Sequence, residues 1–257
     1  MGKYLKAFDT NIDYSNWENS EEWITPNVAL IKDSNDVMFN SYIPPVSDPF
    51  NGHEYVDLGL PSGTLWAKCN VGAEKESDYG LYFQWGDVVG YSSDQVGSGE
   101  GKKYFKWSDY KYCNGSNTTL TKYNTKSSSG IVDNLTTPLP EDDAASVNMG
   151  GSWHIPSIEQ IDELYNSSYT TTTWTTVNGI YGRLITSNTN GNTLFLPASG
   201  SCNGDSVSDV GSIGCYWSSS LDTDYPGCAW HLLFRSSAIY DNSSYRYNGT
   251  SVRGVVG

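Results

Sequence analysis

The sequence predicts an α+β fold, and three features carry the prediction. Short apolar runs are broken by Gly, Asn and Ser turns, a strongly signalled helix lies past the middle, and short runs resume after it. Hydrophobic residues make up only 37% of the 257, yet aromatics reach 14%, with 19 Tyr and 9 Trp. Such a chain can build its core from large rings, and its aromatic content is the opposite of a disordered chain's. The length allows one large or two small domains.

Taken in order, Val28–Ile31, a polar turn over Lys32–Asp36 and Val37–Phe39 read as a short hairpin. Three prolines in Tyr42–Pro49 then read as a linker, which divides the chain into residues 1–46 and 47–257. From Glu54 onward the pattern is short strands, two helices and much irregular loop. A first helix is expected over Pro140–Ala145, with Pro and acidic residues in the opening turn where the helix dipole favours them. The stronger one spans Pro156–Tyr165. Ser157 with Gln160 is a capping-box pattern, and Ile158, Ile161, Leu164 and Tyr165 share a face. Apolar runs such as Leu194–Leu196 follow, separated by turns.

A formal net charge of -14 argues against nucleic acid and anionic membrane surfaces as partners, because both need basic patches. No stretch approaches the roughly 20 apolar residues of a membrane-spanning helix, so membrane insertion is not expected. The opening residues carry neither an apolar core nor a small-residue cleavage site, and Lys6 stands where a myristoylation motif wants Ser or Thr. Synthesis in a cytoplasm is expected, with any extracellular role reached by another route such as virion assembly.

Catalytic and metal-binding signals are weak. The five cysteines, Cys69, Cys113, Cys202, Cys215 and Cys228, have no clustered spacing; they read as buried free thiols, with a Cys202–Cys215 bridge as the alternative. His53, His154 and His231 are far apart and are expected to be non-catalytic. Val96–Lys103 fails the phosphate-loop pattern at both ends. Asp142 with Asp143, and Asp222 with Asp224, offer oxygen ligands without calcium-loop spacing, so they read as solvated carboxylates. No metal or cofactor is expected.

The C-terminal segment differs in kind. Trp230, Leu232 and Phe234 alternate like the inward face of a strand, leaving His231, Leu233 and Arg235 on the other side. Tyr240–Gly249 is rich in Tyr, Ser, Asn and Gly, the residue types of antibody contact surfaces, although an ordinary Tyr-rich loop has the same composition.

Several separated motifs, in order, resemble a domain widespread in gut Bacteroidales. They are Tyr55–Ala67, Asn70–Ala73, Asp78–Gly80 with Phe83, Trp85 and Gly86, Gly151–Ser157, Phe195–Gly200, Tyr216–Ser220 and Gly249–Arg253. The match covers roughly 53–254 and implies a C-type-lectin-like fold of the formylglycine-generating-enzyme kind. Tyr216–Arg253 further resembles the variable region of a diversity-generating retroelement target protein, in which reverse transcription rewrites adenine-containing codons. On that resemblance Trp230, Leu232, Phe234, Arg246, Gly249, Ser251, Val252 and Arg253 are constant scaffold. Variable, ligand-binding positions are Leu221, Asp224, Tyr225, His231, Leu233, Arg235, Tyr240, Asp241, Ser243, Ser244, Tyr245 and Tyr247. Pro226, Gly227 and Cys228 depart from the family pattern. Residues 1–40 resemble attachment segments of phage structural proteins.

The resemblance implies a receptor-binding protein, displayed on a phage tail, whose partner is a protein or glycan on a bacterial surface. Residues 1–46 would then serve a virion partner or a homo-oligomer. The rival expectations are a bacterial cell-surface adhesin of the same fold and an oxidase of the formylglycine-generating kind. No counterpart of the reactive cysteine pair of those oxidases is evident, and the Glu-Pro-Asn and Trp-Asn-Asp signatures of calcium-dependent lectins are absent, so a binding role rather than catalysis is expected.

Overall fold

The computed structural model describes residues 28–32, 38–42 and 48–257. The chain divides into two compact units, Met1–Asp48 and Pro49–Gly257. In the first unit β1 (Val28–Lys32) pairs antiparallel with β2 (Met38–Tyr42), so the expected hairpin forms with its second strand shifted toward the C-terminus. The turn between them, residues 43–47 of the expected linker and the remainder of the attachment segment lie outside the described residues.

The second unit is α+β: small antiparallel sheets, two short helices and much loop. One sheet has the order β13-β4-β3, joining Tyr55–Asp57 (β3), Leu65–Ala67 (β4) and Val255–Val256 (β13), so the chain closes its C-terminus against its first motif. A second is the meander β5 (Thr170–Val177), β6 (Ile180–Ser187) and β7 (Thr193–Pro197). A two-stranded ribbon follows, β8 (Ser201–Asn203) with β9 (Ser206–Ser208). The third sheet, β10 (Ile213–Leu221), β11 (Cys228–Arg235) and β12 (Ala238–Tyr245), carries the C-terminal segment.

The helices show what capping chemistry does. In α2 (Ile158–Glu163) the Ser157 hydroxyl accepts from the Gln160 backbone and the Gln160 side chain returns to the Ser157 amide, as the capping box predicts. The other helix is displaced from its expected place. Pro140–Asp142 forms a single 3-10 turn, and α1 runs over Ala144–Met149. Asp143 is the reason: it is extended, and its carboxylate accepts from the Ser146 and Ile155 amides, which starts the helix one residue later.

Two large apolar clusters, with a small third one of Tyr82, Phe105 and Cys202, form the core, and the third sheet separates the two large ones. Tyr216 of β10 faces Leu232 of β11, and with Phe234 they pack on Leu60, Trp66, Ile161, Leu164 and Ile185. On the opposite face Trp217, Leu221 and Ala229 pack on Phe83, Trp85, Tyr123, Trp153 and Val252. An antiparallel sheet commonly wets one face; here the strand centres are covered on both, so β10 lacks the apolar-polar alternation of a surface strand. Gly214 belongs to this packing, because it pairs with Phe234 and any Cβ there would run into the ring.

Buried polar groups tie the separated motifs together. Arg253 is 1% exposed and donates to the Asn70 side chain (2.9 Å) and to the carbonyls of Ala67 (3.0 Å), Lys68 (2.5 Å) and Phe195 (3.0 Å). The Trp85 and Trp217 indoles donate to the Ser218 and Phe83 carbonyls, each at 2.8 Å. These bonds explain why those residue types stand in motifs: each is a large side chain with one polar end that the core must satisfy.

Candidate functional site

An open cleft of about 560 Å³ lies where the C-terminal segment meets a loop from the middle of the chain. One wall is Asp224–Cys228 and Ser243–Tyr245. The other is Asn117, Lys126, Ser128 and Ser129. Five of the twelve expected ligand-binding residues thus come together: Asp224, Tyr225, Ser243, Ser244 and Tyr245. Tyr225 is 71% exposed and Tyr245 46%, which puts both among the exposed rings of the described residues.

The cleft stands on a rigid frame. The buried Asp222 carboxylate accepts from the amides of Asp224 (3.0 Å) and Tyr225 (3.1 Å), fixing the turn that lifts Tyr225 into solvent. Arg246 is fully buried and donates to the Tyr110 hydroxyl (2.8 Å) and to the carbonyls of Tyr123 (2.7 Å), Pro226 (2.9 Å) and Lys122 (3.0 Å). Its plane also lies over the Trp85 and Tyr110 rings. One side chain therefore fastens the Pro226 turn to the opposite wall. Lys126 adds a second tie, donating to the Asp224 carbonyl at 2.6 Å with its ammonium 3.7 Å from the Asp224 carboxylate. A Cβ on Gly227 would sit 3.0 Å from the Asn117 side chain, so glycine permits the close approach of the walls.

Aromatic packing fixes the Tyr245 ring. Tyr247 stacks on it at 5.6 Å between centroids, and Trp107 meets both edge-on, at 5.8 Å for Tyr245 and 5.0 Å for Tyr247. Behind the mid-chain wall, the buried Asp142 accepts from Lys111 (2.8 Å), Lys122 (2.6 Å) and the Tyr123 hydroxyl (2.7 Å). Burial works to raise its carboxyl, but the bonds from Lys111 and Lys122 prevail and hold it well below the ordinary carboxylate range.

The other expected site residues lie elsewhere. Leu221 (4% exposed) and His231 (3%) are core residues, not contact residues. The resemblance places both among the variable positions, but Trp217 covers the face of β11 that carries His231; its ring meets the His231 imidazole edge-on at 5.7 Å. Burial pushes His231 down to about 4, and its Nδ1 has no hydrogen-bond partner. Leu233, Arg235 and Tyr240 share one face of β11 and β12, where the Arg235 guanidinium donates to the Tyr240 hydroxyl at 2.6 Å. Tyr240 is five residues from Tyr245 along β12, roughly 16 Å at strand spacing. Asp241 points to the other face, where its carboxylate accepts from the Tyr165 hydroxyl, just past the end of α2, at 3.1 Å.

Two carboxylate expectations are corrected. Asp142, Asp143 and Asp222 are 4%, 4% and 5% exposed, and they serve as an ion-pair partner, a helix cap and a turn cap. Asp224 alone of the four is solvated. The five cysteines are free, and the Cys202–Cys215 bridge is not formed. Burial pushes the Cys202 and Cys215 thiols up to about 12 and Cys228, on the cleft wall, up to about 11. Among the described residues no helix is long and apolar enough to cross a membrane.

Composition around the tail did not point to the mid-chain wall, because Asn117, Lys126, Ser128 and Ser129 sit in an unpatterned polar loop. The density of Trp107, Tyr110, Tyr112 and Tyr123 was the available signal that this loop packs and is not free. No family model, no curated protein and no solved structure matches the chain.

Proposed function

We propose that this chain is a receptor-binding protein that holds a bacterial surface ligand in the cleft between Asp224–Cys228, Ser243–Tyr245 and the mid-chain loop. One observation carries the reading: two exposed tyrosines and several polar side chains of the tail converge on one open cleft whose walls are already fastened by buried Arg246. A prefixed site loses little entropy on binding, and exposed rings are the usual anchors of such sites.

The scaffold in this reading is C-type-lectin-like and its tail is diversified. Burial supports that division for most positions, with buried Leu221 and His231 and half-buried Trp230 as exceptions. Leu232, Phe234, Arg246, Ser251, Val252 and Arg253, expected to be constant, are each at most 1% exposed, while Asp224, Tyr225, Arg235, Asp241 and Tyr245 are exposed. Residues 1–46 attach the domain to a phage tail, where several copies supply avidity. High, burial-raised thiol pKa values favour binding over cysteine-based oxidation, since the thiolate is the reactive form.

The test is binding of labelled protein to a panel of gut Bacteroidales strains, beside a Tyr225→Ala/Tyr245→Ala double variant. Strain-selective binding is expected for the parent chain. The variant should lose roughly 30-fold or more in affinity, the effect of removing a hot-spot anchor. Equal binding by both proteins, or binding to no strain, refutes the reading.

A further inference from the structure

We infer that the cleft takes a short, electrically neutral oligosaccharide, held between the tail and a fixed wall of Asn117, Lys126, Ser128 and Ser129. This inference rests on the receptor-binding reading and adds the ligand's chemical class.

Shape comes first. A cleft of about 560 Å³ falls within the roughly 300–1,000 Å³ of small-ligand sites, whereas a protein partner covers about 800 Å² of each surface around a desolvated apolar centre. In this cleft polar and apolar surface are mixed along the lining. That lining is a carboxamide, an ammonium, a carboxylate, four serines and two tyrosine rings, together with Pro226, Gly227 and Cys228. Among the described residues, Ser244 is the one of those serines whose hydroxyl is engaged by a protein side chain, accepting from Asn248 at 2.8 Å. A pyranose has the complementary chemistry: apolar C–H faces that lie on aromatic rings, and a rim of hydroxyls that both donate and accept.

Charge decides between neutral and acidic sugars. Lys126 is the cation on the cleft wall, and it is already offset by Asp224, 3.7 Å away. The chain as a whole carries a formal -14, which repels anionic ligands at long range. A neutral, hydroxyl-rich ligand meets neither penalty, and it can bridge the Lys126–Asp224 pair with a hydroxyl that donates to one and accepts from the other.

The mid-chain wall is as firmly placed as the tail. Asn124 donates to the carbonyls of Lys126 (2.9 Å) and Ile131 (3.0 Å), and the Asp133 carboxylate accepts from the amides of Tyr123 (2.7 Å) and Asn124 (2.9 Å). The loop therefore presents Lys126, Ser128 and Ser129 from a fixed backbone, which keeps their placement constant whatever the tail presents opposite.

The experiment takes a strain that the full chain binds and treats the cells with periodate, which cleaves vicinal diols, or with proteinase K. Neutral oligosaccharides released from that strain's surface polysaccharide serve as soluble competitors. Loss of binding after periodate, survival after proteinase and competition by the neutral fraction are expected. Lys126→Ala and Ser128→Ala/Ser129→Ala should each weaken the parent chain's binding about tenfold, with thermal unfolding unchanged for the serine pair, whose backbone bonds survive the change and whose hydroxyls bond no other protein group among the described residues. Binding destroyed by proteinase and spared by periodate overturns the sugar assignment while receptor binding stands. Full affinity in both the lysine and serine variants overturns the fixed wall. Failure to bind any strain overturns the receptor-binding reading and this inference with it.

Discussion

Arg246 and His231 show how single residues hold this site. The hydrogen bonds of Arg246 all end on oxygens without formal charge, three of them backbone carbonyls: Pro226 of the tail wall, and Lys122 and Tyr123 of the segment that leads into the mid-chain wall. Arg246→Ala leaves those oxygens buried and unpaired, so a loss of about 3 kcal/mol or more is expected in denaturant unfolding. Arg246→Lys should not restore it, because a single ammonium cannot reach such spread acceptors. His231 makes stability depend on pH. Its imidazole binds a proton near 6.5 in the unfolded chain but only near 4 when folded, chiefly through burial, which the Ala229 backbone and then Asp241 oppose. The unfolded state therefore binds more protons between those values, and stability falls as pH drops from about 6.5 toward about 4. The loss is on the order of 3 kcal/mol at most, and His231→Leu should remove it from the difference between unfolding curves at pH 7 and pH 4.5. Unchanged pH dependence in that variant contradicts the account.

At the scale of elements, the third sheet carries the design and also the greatest risk. Its central strands are packed on both faces, and Gly214 opposite Phe234 leaves no room for a methyl group. Gly214→Ala should cost about 1–3 kcal/mol by overpacking, read as a lowered denaturant midpoint with an unchanged slope. Helix α2 was legible from Ser157, Gln160 and the spacing of Ile161 and Leu164, because capping and amphipathic period are local signals. Helix α1 was legible only approximately. Pro140 marks a first turn as expected, but the competing cap at Asp143 depends on the Ile155 amide, twelve residues on, which no local pattern reveals. The β11 alternation correctly separates Leu232 and Phe234 from Leu233 and Arg235. It misplaces His231 because only tertiary packing tells which face Trp217 covers.

Across the whole molecule, the tail's composition pointed to a contact surface, and the fold gathers part of it. Asp224, Tyr225, Ser243, Ser244 and Tyr245 reach the cleft, whereas Arg235 and Tyr240 pair with each other further along the sheet. Four of the twelve residues that line the cleft, Asn117, Lys126, Ser128 and Ser129, come from the middle of the chain, and no reading of the tail alone could supply them. The central claim is that ligand binding resides in the cleft and not across the whole tail. The most direct measurement compares two double variants on a strain that the parent chain binds: Tyr225→Ala/Tyr245→Ala in the cleft, and Arg235→Ala/Tyr240→Ala on the sheet face outside it. Loss of binding in the first with near-parental affinity in the second is the predicted result. The reverse pattern, or equal losses in both, would contradict it.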